Sequence, residues 1–229
     1  MDLLLILLII LIPLIAQIGI KGSYSKYSSI KNDKELTGKE VARMILDKNG
    51  LNNVEIYETG GELTDYYDPR KKRVVLSTNI YNGTSISSAA VAAHEVGHAI
   101  QDKEGYFFLR FRSFLVPIVN FTSHISSLFI IIGFASEALN IIDIGIILLL
   151  IGLFFQLITL PVEFNASSRA KKQLKEIGLY SKKNIDGTNS VLNAAAFTYV
   201  AGFLGEALQI LRLILISRDR DSSLFFIEW

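Results

Sequence analysis

The capacity for chemistry in this chain is concentrated in one short string, Ala93-His94-Glu95-Val96-Gly97-His98. Histidines four apart on a helix stand one turn apart on the same face, so both imidazoles can reach one ion. Imidazole suits Zn2+, which needs no redox partner. A glutamate directly after the first histidine is placed to take a proton from an attacking water. It can then pass that proton to a leaving amine. The chain has three histidines and no cysteine. Thiolate nucleophiles, disulfides and cysteine-held metals are therefore excluded, and any metal must rest on histidine and carboxylate. His124, the remaining histidine, has no partner at ligand spacing and reads as a polar contact within a helical hairpin.

Two histidines do not complete a catalytic zinc site; a third protein ligand is needed. Asp102 stands eight residues beyond His94, about 12 Å along a helix axis, too far to share the ion. Glu104 fails for a similar reason. Glu137 falls in the turn of an apolar hairpin, on the opposite side of a membrane. Glu163 follows that hairpin directly, where the chain returns to the side it left, and topology selects it. Pro161 reads as the start of a new helix at this point. Glu206 is the reserve. Tyr199, Arg169 and Tyr67 are the candidates for stabilising an oxyanion, and the residues do not choose among them.

The elements that must position these groups are largely membranous. Half the chain is hydrophobic and 20% is charged, and the mean hydropathy is +0.38, too high for a typical water-soluble enzyme. A net charge of +1 gives no bulk attraction to nucleic acid. Residues 1–20 read as a transmembrane helix, because the run 3–20 carries no charge and nearly crosses a hydrocarbon core of about 30 Å. Residues 114–160 read as a transmembrane hairpin, with spans at 114–135 and 141–160. Residues 193–217 form a fourth membrane or interfacial helix, and 218–229 a tail. The hydrophilic parts, 21–113 and 161–192, hold 14 and six of the 23 basic residues, while the hairpin turn has none. The positive-inside rule then puts both parts, and the active site, at the cytoplasmic face.

Within 21–113, the stretch 37–49 reads as an amphipathic helix opened by a capping box of Thr37 and Glu40. Residues 54–57 and Arg73–Ser77 read as strands, 66–70 as a turn-like approach, and 79–85 as a polar loop. A helix over 85–103 carries the histidines. The strand Arg73–Ser77 is either internal or an exposed edge that can pair with an extended peptide.

The string HEVGHAIQ, the apolar hairpin and LPVEFNASSRA together resemble the bacterial YugP-type membrane zinc metallopeptidases. So do YDPRKKRVVLS before the motif helix and VLNAAAFTYVAG after the second hydrophilic segment. More distantly, the arrangement is similar to the gluzincin membrane proteases of the HtpX type. These also carry an HExxH helix, two spans and a glutamate ligand in an E-x-x-A-D motif. Here the corresponding string is Glu163-Phe164-Asn165-Ala166-Ser167. Serine replaces the aspartate, which leaves the partner of one zinc-bound histidine unassigned.

The resemblance implies Zn2+ held by His94, His98 and Glu163, with Glu95 as base. The expected fold is α+β but mostly helical: an integral membrane protein whose small zincin-like catalytic domain, a metallopeptidase part at 21–113 and a third-ligand segment at 161–192, is interrupted by the transmembrane hairpin. The expected protein is a multi-pass zinc endopeptidase of the bacterial cell membrane. Its partners are the lipid bilayer and a polypeptide substrate, membrane proteins included, with no nucleic acid. The rivals are a zinc hydrolase of a non-peptide amide or ester, and a non-proteolytic scaffold with structural zinc.

Overall fold

The computed structural model describes residues 2–225, with side chains described over 3–219. Residues 226–229, the end of the expected tail, lie outside the described residues. Seven helices and three strands follow in the order α1 (Asp2–Ser28), α2 (Gly38–Lys48), β1 (Glu55–Thr59), β2 (Tyr66–Asp68), β3 (Arg73–Ser77), α3 (Thr78–Asn82), α4 (Ile86–Lys103), α5 (Phe107–Ala135), α6 (Leu139–Glu176) and α7 (Lys182–Phe225). The chain divides into two compact units. One comprises Met1–Ile15, Phe111–Thr159 and Tyr199–Trp229, and the other Ala16–Arg110 and Leu160–Thr198.

The first unit is built from stretches of α1, α5, α6 and α7. Among the described residues these four helices are long and apolar enough to cross a membrane. Their outward surfaces are apolar: Leu3, Ile10, Phe121, Ile131 and Ile147 are all exposed, as lipid-facing positions require. Polar groups turn inward or onto their own helix. Ser126 is fully buried, the Gln156 amide donates to Glu206, and His124 Nδ1 sits 2.6 Å from the Asn120 carbonyl one turn back. α5 and α6 are joined by only three residues, Ser136, Glu137 and Ala138.

The second unit holds the sheet, in the order β1-β3-β2. β1 runs parallel to β3 with Tyr57 opposite Val75, and β2 runs antiparallel to it with Tyr67 opposite Val74. β3 is therefore central, and both its edges are occupied, which removes it as a strand for pairing with an external peptide. Its inward residues Val74 and Leu76 are fully buried beside Val41, Ala42, Ile45 and Leu46 of α2. The amphipathic spacing of α2 produces that buried face. Its start is fixed by the expected box: the Thr37 hydroxyl accepts from Glu40 N–H while the Glu40 carboxylate accepts from Thr37 N–H at 2.7 Å. α4 packs on α2, and its Ala89, Ala92, Ala93 and Val96 are buried in the same core cluster as the α2 residues.

The structure departs from the sequence reading in several places. α1 runs on to Ser28, α5 already begins at Phe107, and α7 continues to Phe225 through the first part of the expected tail. Tyr66–Asp68 is a strand. Part of the expected loop at 79–85 is the short helix α3. α6 runs unbroken through Pro161, so Glu163 lies in mid-helix and not at a helix start. α7 begins at Lys182, eleven residues ahead of the expected position. The composition Asp186-Gly187-Thr188-Asn189 suggests a loop, but tertiary packing overrides propensity there. A Cβ on Gly187 would stand 2.7 Å from Ile86 Cγ2 and Tyr27 Cδ1, so the glycine serves close packing of the helix.

Candidate metal centre

Two helices of the second unit build the centre. α4 is started by Ser85, whose hydroxyl accepts from Ser88 N–H, and it presents His94 and His98 on one face. Their rings lie 4.9 Å apart, nearly perpendicular. α6 crosses at Gly97, where a Cβ would be 2.7 Å from the Ala166 carbonyl oxygen. Only glycine admits the α6 backbone this closely. The crossing brings Glu163, and Ser167 one turn later, onto the histidines.

The ligand atoms converge. Glu163 Oε2 is 3.1 Å from His94 Nε2 and 3.6 Å from His98 Nε2. One atom from each of the three residues lies within 4.8 Å of the others, and among the described residues this is the group of histidine and carboxylate able to hold a metal ion. Ligands about 2.0–2.1 Å from a tetrahedral zinc stand about 3.3 Å apart, so two nitrogens and one oxygen at these separations fit Zn2+. Glu163 is 3% exposed and His98 6%. Burial works to raise the Glu163 carboxyl, which lies beyond the apolar run 141–160, but the imidazoles of His94 and His98 against it outweigh that effect. They hold the carboxyl below the usual carboxylate range.

Each imidazole has a second partner on its far nitrogen. His94 Nδ1 lies 3.2 Å from Ser167 Oγ, so serine occupies the place left open by the missing aspartate. His98 Nδ1 lies 3.0 Å from Oε1 of Gln101, a residue the sequence reading passed over. Its only sequence signal is its place one turn after His98, at i+3 on the same helix. Glu95 follows His94 on α4 and is buried.

The other expected residues are placed as follows. Arg169 donates through Nε to Asn165 Oδ1 at 2.7 Å and pairs with Glu104 at 2.7 Å. That pairing holds the Glu104 carboxyl below its usual range. The Tyr67 hydroxyl donates to Asp102 Oδ2 at 2.7 Å, and burial first, then Asp102, push its ionisation up. Tyr199 and the reserve ligand Glu206 belong to the other unit, outside the His94–His98–Glu163 group.

Comparison with known proteins agrees with this chemistry. The family model described as "Putative neutral zinc metallopeptidase" matches residues 2–218. A protein of Bacillus subtilis (strain 168), described as "Putative membrane protease YugP", is 47% identical over 197 residues, covering 86% of this chain and 88% of the relative. No solved structure matches. The family's metal is Zn2+, the ion that the donor set fits, and the four apolar helices accord with a membrane protease. The chain belongs to the neutral zinc metallopeptidase family.

Proposed function

We propose that the protein is a membrane-embedded zinc endopeptidase that cleaves polypeptides, membrane proteins among them, at the cytoplasmic face. The observation that carries this reading is the convergence of Glu163 Oε2 on both histidine Nε2 atoms, with Glu95 next to His94 on the same helix. His94, His98 and Glu163 hold the metal. Bound Zn2+ supplies Lewis acidity, making water acidic enough to attack at neutral pH and polarising the scissile carbonyl. Glu95 is the general base: its carboxylate accepts the proton of the attacking water and returns it to the departing amine nitrogen. Ser167 and Gln101 keep the imidazoles aimed. The description of the Bacillus subtilis relative as a membrane protease supports a peptide substrate. The basic residues crowded into 21–113 and 161–192 support the cytoplasmic orientation.

The test is zinc content and casein cleavage by detergent-purified wild type, Glu95→Gln and Glu163→Ala. The reading requires Glu95→Gln to keep zinc and lose cleavage, and Glu163→Ala to lose both. Unchanged cleavage by Glu95→Gln removes Glu95 as base. Full zinc in Glu163→Ala places the third ligand elsewhere.

A further inference from the structure

We propose that Gln101 is a positioning residue for the metal centre, fixing the tautomer of His98 and pinning the backbone of α6 beside Glu163. The proposal rests on the zinc reading above.

Gln101 has no exposed surface, and a buried amide must satisfy both its ends. Its Nε2 donates to the Val162 carbonyl at 2.8 Å and to Asn165 Oδ1 at 2.9 Å. A backbone carbonyl can only accept. Asn165 presents its oxygen too, because Arg169 Nε donates to the same atom at 2.7 Å. Turning the Gln101 amide over would set oxygen against two oxygens, so its orientation is determined. Oε1 must face His98 Nδ1, 3.0 Å away, and an amide oxygen only accepts. Nδ1 therefore carries the proton. The lone pair is left on Nε2, the atom that looks toward Glu163 at 3.6 Å. A neutral imidazole with its metal-facing nitrogen unprotonated is the form a zinc ligand must take.

The same amide acts on the third ligand. Val162 is the residue before Glu163, so the bond to its carbonyl ties α6 to α4 at the point where the carboxylate leaves the helix. The hydrogen-bonded chain continues through Asn165 and Arg169 to Glu104 at 2.7 Å, which anchors it at the end of α4. One buried side chain thus governs the protonation of one ligand and the placement of another.

The experiment measures zinc affinity of the full-length protein in detergent by competition with a chromogenic chelator. The variants are Gln101→Met, which fills the volume without polar ends, Gln101→Glu, which keeps an acceptor toward His98, and the control His98→Ala. Loss of an outer partner of a ligating histidine weakens metal binding about 10- to 100-fold. That loss is expected of Gln101→Met and also of Gln101→Glu, whose carboxylate keeps the acceptor toward His98 but sets oxygen against the Val162 carbonyl and Asn165 Oδ1. Wild-type affinity in Gln101→Met, alongside zinc loss in His98→Ala, overturns this proposal alone. Wild-type affinity in Gln101→Glu overturns the pinning of α6, since a carboxylate cannot donate to the Val162 carbonyl. Equal zinc in wild type and His98→Ala overturns the zinc reading itself. A second measurement needs no variant: ¹⁵N spectra of histidine-labelled, zinc-loaded wild type, which has three histidines. A protected Nδ1–H on His98 is expected, and a proton on its Nε2 refutes the proposal.

Discussion

Replacing Gly97 by alanine sets two physical effects against each other. Helix propensity alone favours alanine over glycine by about 0.8–1.0 kcal/mol. The structure argues the opposite sign. The added Cβ would lie 2.7 Å from the Ala166 carbonyl oxygen and 3.3 Å from its carbonyl carbon and Cα. Those are backbone atoms, so no rotamer change relieves the contact. An ordinary carbon–oxygen approach is about 3.3–3.6 Å, so α6 must retreat by about 0.6–0.9 Å. Overpacking of this kind costs about 1–3 kcal/mol, which outweighs the propensity gain. The retreat also carries Glu163 away from His94 and His98. Misplacement by about 1 Å at a catalytic centre costs about 100-fold in rate. Gly97→Ala should therefore lose about 10- to 100-fold in kcat/KM on casein, bind zinc more weakly and melt at a lower temperature. A variant that is more stable than wild type and equally active would show that the helix crossing does not set the ligand geometry.

Ser167→Ala removes the oxygen facing His94 Nδ1 and should weaken zinc binding about 10-fold, with Ser167→Asp restoring it, as read by chelator competition. Tyr67→Phe should lower casein cleavage far less than the about 100- to 1,000-fold expected of a lost oxyanion donor, because the hydroxyl is already committed to Asp102. Arg169 lowers the Glu104 carboxyl, so the stability this pair adds is complete above the ordinary carboxylate value and is lost as pH falls through the lowered one. Glu104→Gln should remove that acid dependence from thermal melts. The effect should stay below about 1 kcal/mol, since the Glu104 side chain is half exposed and solvent screens it.

The residues that announce themselves in the sequence are those whose function needs a fixed local spacing. His94 and His98 are legible because one helical turn separates them, and Thr37 with Glu40 because a capping box spans three residues. Glu163 is legible because a chain that enters an apolar hairpin must come back. Gln101 and Ser167 are of another kind. Gln101 shows only its i+3 place after His98 and Ser167 only its place in the motif string, and their roles exist only where α4 and α6 cross. β2 was hidden by its length of three residues and the Asp68-Pro69 turn beside it. The unbroken course of α6 through Pro161 was hidden because proline ordinarily ends a helix, whereas neighbouring structure can absorb the lost bond. The early start of α7 was masked by a loop-like composition that packing against Ile86 and Tyr27 overrides.

The ligands are separated by 69 residues along the chain, and this has a consequence for how the protein is made. Chains are synthesised at about 5–20 residues per second. Several seconds therefore pass between the emergence of the histidine pair and that of Glu163, while the intervening apolar helices enter the bilayer. During that interval the nascent chain has only half of a metal site, and a pair of histidines holds zinc weakly. A three-ligand site cannot form before Glu163 has been synthesised. The complete ligand set thus exists only after both helices of the hairpin have been made.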